Sequence, residues 1–353
     1  MPPGLGESLG ESMSRRIVIV GSGANGSCVA ADLVRAGEDV TLIDQWPEHV
    51  NAMRANGLTI AMPEDELHVE VKAHHICELC TLHDRFDIAL FLVKAYDTRW
   101  SCELIKPYLT PQSLAVGVQD AMTADTIADV LSPERTLGCV VELSSEITAP
   151  GRVQRNTPPP RTWFAIGSFH PSTAGREPEV ASLLEHVGTV AISEAILSAK
   201  WMKLIVNAMT MGPHALLGLK TQDAIAIPEM RELALRAGGE ALAVGQRRGH
   251  TVEPVFGLTR AQVEGTNRLL ELVFDKLVAD VGPNGRATVL YDHDNGRLSE
   301  VGLINGLVAE EGARFGIATP VNSGITQITR RIHAGELKPD RSNLGLLLDT
   351  LNA

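Results

Sequence analysis

Apolar residues follow two different rhythms along this chain. In the first half they come in short unbroken runs, at Arg16–Val20 and then at residues 39–43, 87–93 and 113–118. Alternating strands bury one face, whereas continuous Val/Ile/Leu runs bury both and predict a parallel sheet covered on its two sides. Helical patterns over 24–36, 47–56 and 97–104 separate these runs. Such strand–helix alternation predicts a doubly wound α/β sheet over residues 15–193. Residues 147–160 are rich in Pro and Gly and read as a loop or hairpin connection. Beyond Ser193 the strand signals fade, and a helical period dominates 195–219, 228–248, 260–281, 298–315 and 322–334. The expected organisation is a flexible extension over 1–14, a sheet domain over 15–193 and an all-helical domain over 194–353, with a cleft between the two domains.

Composition narrows the field. The 353 residues carry 31 Lys plus Arg against 43 Asp plus Glu, a net charge of −12 that disfavours binding to a nucleic-acid backbone. The densest apolar run, residues 88–93, has a strand's length and falls far short of the ~18 residues of a membrane helix, so no membrane partner is expected. Five cysteines (28, 77, 80, 102 and 139) are an odd number in a long chain, which argues against a disulfide scaffold. The polar, Gly-rich opening lacks the basic and apolar regions of a secretory signal. A cytoplasmic protein with a small-molecule partner is the expectation.

The first chemical motif follows the first strand. Gly21-Ser22-Gly23-Ala24-Asn25-Gly26 fits G-x-G-x-x-G and opens a predicted helix, the context a dinucleotide site requires. Gly21 permits the tight turn, Gly23 lets a pyrophosphate approach the backbone, and Gly26 allows close helix–strand packing. The helix that follows offers free N–H groups and the positive end of its dipole. Asp44, at the end of the second strand run, is placed to accept both ribose hydroxyls. A carboxylate there repels a 2′-phosphate, and the next residue is Gln45 rather than a cation, so NAD is favoured over NADP, with Arg54 as a cation one helix further on. The first half is therefore expected to be a Rossmann-type dinucleotide-binding domain.

The second motif lies on the first long helix of the second half. Lys203 and Asn207 are one turn apart and share a face. Together they suit carbonyl reduction, since an ammonium can protonate a developing alkoxide while an amide orients the substrate. The spacing alone equally fits a surface lysine beside an asparagine. However, Trp201, Leu204, Ile205 and Val206 make the helix apolar around most of its circumference, which turns the lysine toward a cleft or a partner. Glu300 falls in the first turn of a later helix, either as a dipole-stabilising acid or as a partner for Lys203 or the nicotinamide ribose. A His74-His75-Ile-Cys77-Glu78-Leu-Cys80-Thr-Leu-His83 cluster has spacings that zinc tolerates, but no second Cys-x-x-Cys accompanies it, so no metal is expected.

Taken jointly and in order, several segments resemble the ketopantoate reductase family: the glycine loop, residues 93–98 from Val93 to Thr98, 201–207 from Trp201 to Asn207, 298–306 from Leu298 to Gly306, and 316–322 from Gly316 to Asn322. The resemblance implies reduction of a 2-oxo acid by a nicotinamide cofactor, on a Rossmann domain followed by helices that also form a homodimer. It implies Lys203 as general acid, Asn207 as a substrate contact, Glu300 as a cofactor-side acid near the lysine, and Lys94 as a cofactor contact. The chain departs from the family where Gln-Asn-Gly becomes Gln119-Asp120-Ala121, beside the cofactor and substrate. It departs again where a second substrate Asn becomes Met211, and where a Ser-Ser pair becomes Ala287-Thr288. With the cofactor half retained and the substrate shell changed, the expected substrate is a ketone or secondary alcohol less polar than ketopantoate, with NAD-linked alcohol oxidation as an open direction. A β-hydroxyacid dehydrogenase shares the Lys-x-x-x-Asn pair. A non-catalytic dinucleotide sensor would need the glycine loop but not Lys203.

Overall fold

The apolar runs become neighbouring strands of one sheet. The computed structural model describes residues 15–281 and 286–352, and the extension expected over 1–14 lies outside the described residues. The first half runs β1 (Arg16–Val20), α1 (Ala24–Arg35), β2 (Asp39–Asp44), α2 (Pro47–Asn56), β3 (Leu58–Ala61), β4 (Glu66–Val69), β5 (Lys72–His75), β6 (Phe86–Phe91), α3 (Thr98–Ile105), β7 (Leu109–Gly117), α4 (Thr123–Leu131) and β8 (Thr136–Glu142). It continues with β9 (Ser145–Ala149), β10 (Arg152–Arg155), β11 (Trp163–Ser168), α5 (Glu177–Leu184) and β12 (Thr189–Ile192). The main sheet has eight strands in the order β12-β11-β8-β7-β6-β1-β2-β5. All its pairings are parallel except β8 with β11. Ile17 lies between Val40 and Ile88, so the first run is buried at the centre of the sheet.

β1 is followed by β2 on one side while β6 lies on the other. This is the topological switch point, where loops at the carboxyl ends of parallel strands diverge and leave a crevice. The ends of β2, β1, β6, β7 and β8 all lie on that edge.

A second sheet, β4-β3-β10-β9, packs across α1. Residues 147–160 thus contribute a hairpin rather than a bare loop, with Gly151 at φ +75 in its turn. Between α1 and this sheet, Asp32 and Arg155 form an ion pair of 2.5 Å, each only 1% exposed. Arg155 also donates to Thr157 O, Thr162 Oγ1 and Val187 O, and Asp32 accepts a further bond from Arg35, so neither buried charge is left unsatisfied.

The second half is helical: α6 (Ile196–Leu216), α7 (Thr221–Ile225), α8 (Pro228–Arg247), α9 (Arg260–Glu264), α10 (Leu269–Val281), α11 (Thr288–Asp294), α12 (Asn305–Phe315), α13 (Pro320–His333) and α14 (Asn343–Asn352). Two expected helices are divided. The one over 260–281 stops at Gly265, and the one over 298–315 opens as a 3₁₀ turn, Glu300–Leu303, which Ile304 separates from α12 by leaving helical dihedrals. α6 is buried along almost its whole length and lies against both β8 and α8. Close approach to α8 depends on missing side chains: a Cβ at Gly245 would stand 2.0 Å from Trp201 Nε1, and one at Gly238 would stand 2.5 Å from Met209 Sδ. No helix among the described residues is long and apolar enough to cross a membrane.

Candidate active site

The glycine loop closes the carboxyl end of β1. Gly21 takes φ +97 and donates to Ile43 O at 2.8 Å; a Cβ there would meet Val93 N at 2.6 Å. A Cβ at Gly26 would stand 2.0 Å from Gly21 O, so these two glycines serve packing. Gly23 differs, because a Cβ on it meets no described atom within 4 Å. It precedes α1, whose N-terminus has neither a side-chain cap nor an acid in its first turn. Open space over uncapped N–H groups suits a pyrophosphate.

Asp44 fixes the loop from the next strand. Its Oδ2 accepts from Ser22 N at 2.7 Å and Ser22 Oγ at 3.1 Å, and its Oδ1 accepts from Trp46 N at 2.9 Å. The carboxylate therefore shapes the loop. Asn25 adds a tether, accepting from Ser145 Oγ at 2.6 Å. His49, fully buried, donates from Nε2 to Ser22 O at 2.9 Å and accepts at Nδ1 from Gly151 N at 2.9 Å. Burial holds its pKa below the ordinary value, against the pull of Asp44. Arg54 is already engaged by other groups. Its guanidinium donates to Ala73 O and makes two bonds to Glu78, whose pKa this contact lowers to about 2.

At the middle of the edge, Gln119 donates to Val93 O at 2.6 Å and to Thr98 Oγ1 at 3.0 Å, bracing the loops after β6 and β7. Asp120 follows, and its Oδ1 is buried without a hydrogen-bond partner among the described residues. Ala121 takes φ +62, a left-handed conformation that costs an alanine ~1 kcal/mol and a glycine almost nothing. Lys94 reaches into the helical half, to Asp292 at 2.7 Å and Glu300 at 3.4 Å, while Glu300 also accepts from Ala95 N at 2.8 Å. Burial works against the Lys94 charge, but Glu300 and Asp292 outweigh it and raise the lysine to about 12. Burial raises Glu300 as well, with Lys94 opposing and Asp120 reinforcing. Glu300 is thus bonded to Lys94, not Lys203.

Lys203 pairs with Glu142, the last residue of β8, with the two side chains 10% and 12% exposed. Burial lowers the lysine's pKa, the Glu142 and Asp120 carboxylates raise it, and the net shift is upward. Its Nζ also lies 5.0 Å above the Phe256 ring. One turn earlier on the same face, Lys200 is buried and donates to Cys139 O at 2.8 Å and Gln119 O at 3.1 Å; burial lowers its pKa. Asn207 is buried, and its Nδ2 has no partner among the described residues. Met211 is buried in the helical core. Thr288 stands exposed at the start of α11, one turn before Asp292.

The structure therefore brings Lys94, Gln119, Asp120, Lys203 and Glu300 to one edge, with the glycine loop and Asp44 further along it. Sequence reasoning missed Glu142, Lys200, His49 and Asp292; of these only Glu142 had a readable signal, as an acid ending a strand at the edge where α/β sites form. Elsewhere, Cys77 and Cys80 lie exposed on the 3₁₀ turn Ile76–Thr81, and no group of three potential metal ligands occurs among the described residues. A surface hollow of about 320 Å³ between α13 and α14 shares no lining residue with the cleft.

Known proteins match this chain over most of its length. Residues 17–168 match the family described as "Ketopantoate reductase PanE/ApbA", and residues 195–333 match its C-terminal counterpart. The chain is 24% identical over 332 residues to 2-dehydropantoate 2-reductase of Lactococcus lactis subsp. lactis (strain IL1403), covering 91% of this chain and 98% of the relative. It is 25% identical to the protein of that name from Archaeoglobus fulgidus, covering 91% and 99%. Among solved structures, D-mandelate dehydrogenase with NADH and anilino(oxo)acetate superposes with a TM-score of 0.80 at 18% identity, covering 91% of this chain and 98% of that one. A PanE/ApbA family ketopantoate reductase from Ralstonia eutropha JMP134 gives 0.77 at 24% identity, covering 91% and 99%. These likenesses show the fold.

Proposed function

Because the chain belongs to the ketopantoate reductase family, we propose that it is a nicotinamide-dependent oxidoreductase that interconverts a ketone and its secondary alcohol, with Lys203 as the proton donor and acceptor. The observation that carries this reading is a buried ammonium and an unpartnered buried amide one turn apart on α6, set against the carboxyl edge of a sheet whose glycine loop stands open. The loop from Gly21 to Gly26 and the start of α1 would hold the pyrophosphate, and Asp44 a ribose. Lys94, Gln119, Asp120 and Glu300 would surround the nicotinamide end.

When bound, a reduced nicotinamide supplies hydride to the carbonyl carbon. Lys203 donates its Nζ proton to the carbonyl oxygen, which becomes the hydroxyl, and Asn207 Nδ2 donates a hydrogen bond that orients that oxygen. Glu142 keeps the ammonium charged and aimed. In the oxidation direction Lys203 takes the hydroxyl proton instead, and the pairing with Glu142 makes that direction the slower one near neutral pH. NAD is the favoured cofactor: Asp44 stands at the ribose end and Arg54 is engaged by Glu78.

A titration of the protein with NADH and NADPH, followed by fluorescence, tests the cofactor half of the reading. Tighter NADH binding that Asp44→Ala weakens is expected, and no binding of either ends the reading. For the proton transfer, Lys203→Ala should lower turnover by about 10²–10⁴-fold with cofactor affinity retained; unchanged turnover removes Lys203 from the mechanism.

A further inference from the structure

We infer that Cys77 and Cys80 form a redox site: a dithiol that a low-molecular-weight disulfide, such as oxidised glutathione, converts reversibly into an intramolecular disulfide on the surface turn after β5. The site stands apart from the cleft and from the reaction proposed there. Among the described residues no group of three His, Cys, Asp or Glu side chains could hold an ion, so the Cys-x-x-Cys spacing is left with the chemistry of its two thiols.

The turn's geometry brings the pair together. Ile76–Thr81 is a 3₁₀ helix, in which the side chains of residues i and i+3 eclipse one another. Cys77 and Cys80 therefore share a face, and both are exposed. A rise of ~2.0 Å per residue puts their Cα atoms about 6 Å apart, inside the ~4.4–6.8 Å that a disulfide spans. The Cys80 side chain already points back along this face, with Sγ 3.8 Å from the carbonyl oxygen of Cys77. Leu79 lies buried on a second face and Glu78 occupies a third, so neither stands between the two sulfurs. The start of the turn is fixed from both directions: His75 Nδ1 accepts from Cys77 N at 3.2 Å, and Glu78 accepts from His75 N at 2.9 Å.

Location separates this pair from the other thiols. Cys28, Cys102 and Cys139 are buried, and burial pushes each up to about 12, where the reactive thiolate is scarce at neutral pH. Cys77 and Cys80 face water, and the carboxylate between them in sequence, Glu78, is bonded to Arg54, so its charge is not left to repel a thiolate. In the exchange, one cysteine thiolate attacks a sulfur of the external disulfide, forming a mixed disulfide and releasing one glutathione thiolate. The other cysteine gives up its proton and its thiolate attacks the sulfur of the first, releasing the second glutathione. Two protein thiols are thereby oxidised to one disulfide and the external disulfide is reduced to two thiols, with reduced glutathione driving the reverse. An exposed bridge in the upper half of the permitted separation is of the readily reduced kind, which makes the site reversible rather than structural.

The test uses the full chain, first reduced and then incubated with glutathione disulfide, with free thiols alkylated and the products read by intact mass and non-reducing peptide mapping. The expected product is a chain lighter by two hydrogens with Cys77 joined to Cys80. Alkylation at these two positions should fall by about tenfold or more, and excess reduced glutathione should restore it. Cys77→Ser and Cys80→Ser should each stop at the mixed disulfide, with one glutathione on the remaining cysteine. A parent chain that accumulates the mixed disulfide without closing overturns the inference, as does a bridge between two chains or a bridge that includes Cys28, Cys102 or Cys139. So does the absence of any reaction in protein whose buried cysteines stay shielded from alkylation, the sign that it is folded.

Discussion

Lys203 on α6 and Glu142 at the end of β8 meet across the junction of the helical half and the sheet, and their pairing fixes the charge of the lysine at the site. The folded lysine holds its proton more tightly than its ordinary value of 10.5 implies. The pair's contribution to stability is therefore full below that value and fades as pH rises through the raised one.

Replacing Glu142 with Gln removes the main group that raises Lys203 and leaves burial to lower it. The alkaline limb of the ketone-reduction profile should move to lower pH, with the affinity for NADH unchanged. A pH–rate profile of kcat for parent and variant reads this directly. An unmoved limb would mean that Lys203 does not titrate in the reaction.

The glycines of the loop should separate by role. Gly23→Ala meets no described atom and needs no positive φ, so the melting temperature should stay within about 2 °C while NADH affinity falls at least tenfold. Gly26→Ala drives a methyl into Gly21 O and should destabilise the fold by ~2 kcal/mol or more. Melting curves together with fluorescence titrations distinguish them; equal stability of both variants contradicts the packing role of Gly26.

Glu78→Gln should alter cofactor choice without touching the cleft. With the carboxylate gone, Arg54 loses its two charged bonds and becomes available to a 2′-phosphate. The ratio of NADPH to NADH affinity should rise by about tenfold, a change of ~1.4 kcal/mol. An unchanged ratio would place the 2′ position out of reach of Arg54.

Acid should weaken the helical half through His214. Fully buried on α6, it is pushed from 6.5 to about 4 by desolvation, and neither ring nitrogen has a partner among the described residues. The unfolded chain binds the extra proton first, so stability is full above pH 6.5 and falls as pH drops toward 4. Between pH 7 and 5 this group alone accounts for about 2 kcal/mol. Urea unfolding at both pH values should show a smaller difference for His214→Leu than for the parent.

The sequence was most readable where function imposes local spacing. Continuous apolar runs marked β1, β2, β6 and β7, the glycine loop marked the switch point, and one helical turn marked Lys203 with Asn207. The second sheet escaped because β3, β4 and β10 are four-residue strands, and β3 and β4 are split in sequence from β9 and β10 by four strands of the main sheet. Glu142 escaped as a partner because nothing local joins it to Lys203; the contact exists only once α6 docks on β8. The break at Ile304 depends on a single residue's dihedrals, which periodicity does not register.

The bonds of Lys200 reach beyond the chemistry. β7 pairs with β8 only as far as Gly117 and Gly138, so Cys139 and Gln119 both lie beyond the pairing of these two strands, and their carbonyls accept from Lys200 instead. A helix from the other half of the chain supplies the donor that the sheet cannot. Cut at the linker before α6, one piece would expose Val140 and Ala165 of the sheet and the other the buried surface of α6 around Ile196 and Ala199. The two halves are therefore expected to unfold in a single cooperative transition, which a calorimetric scan would read as one peak.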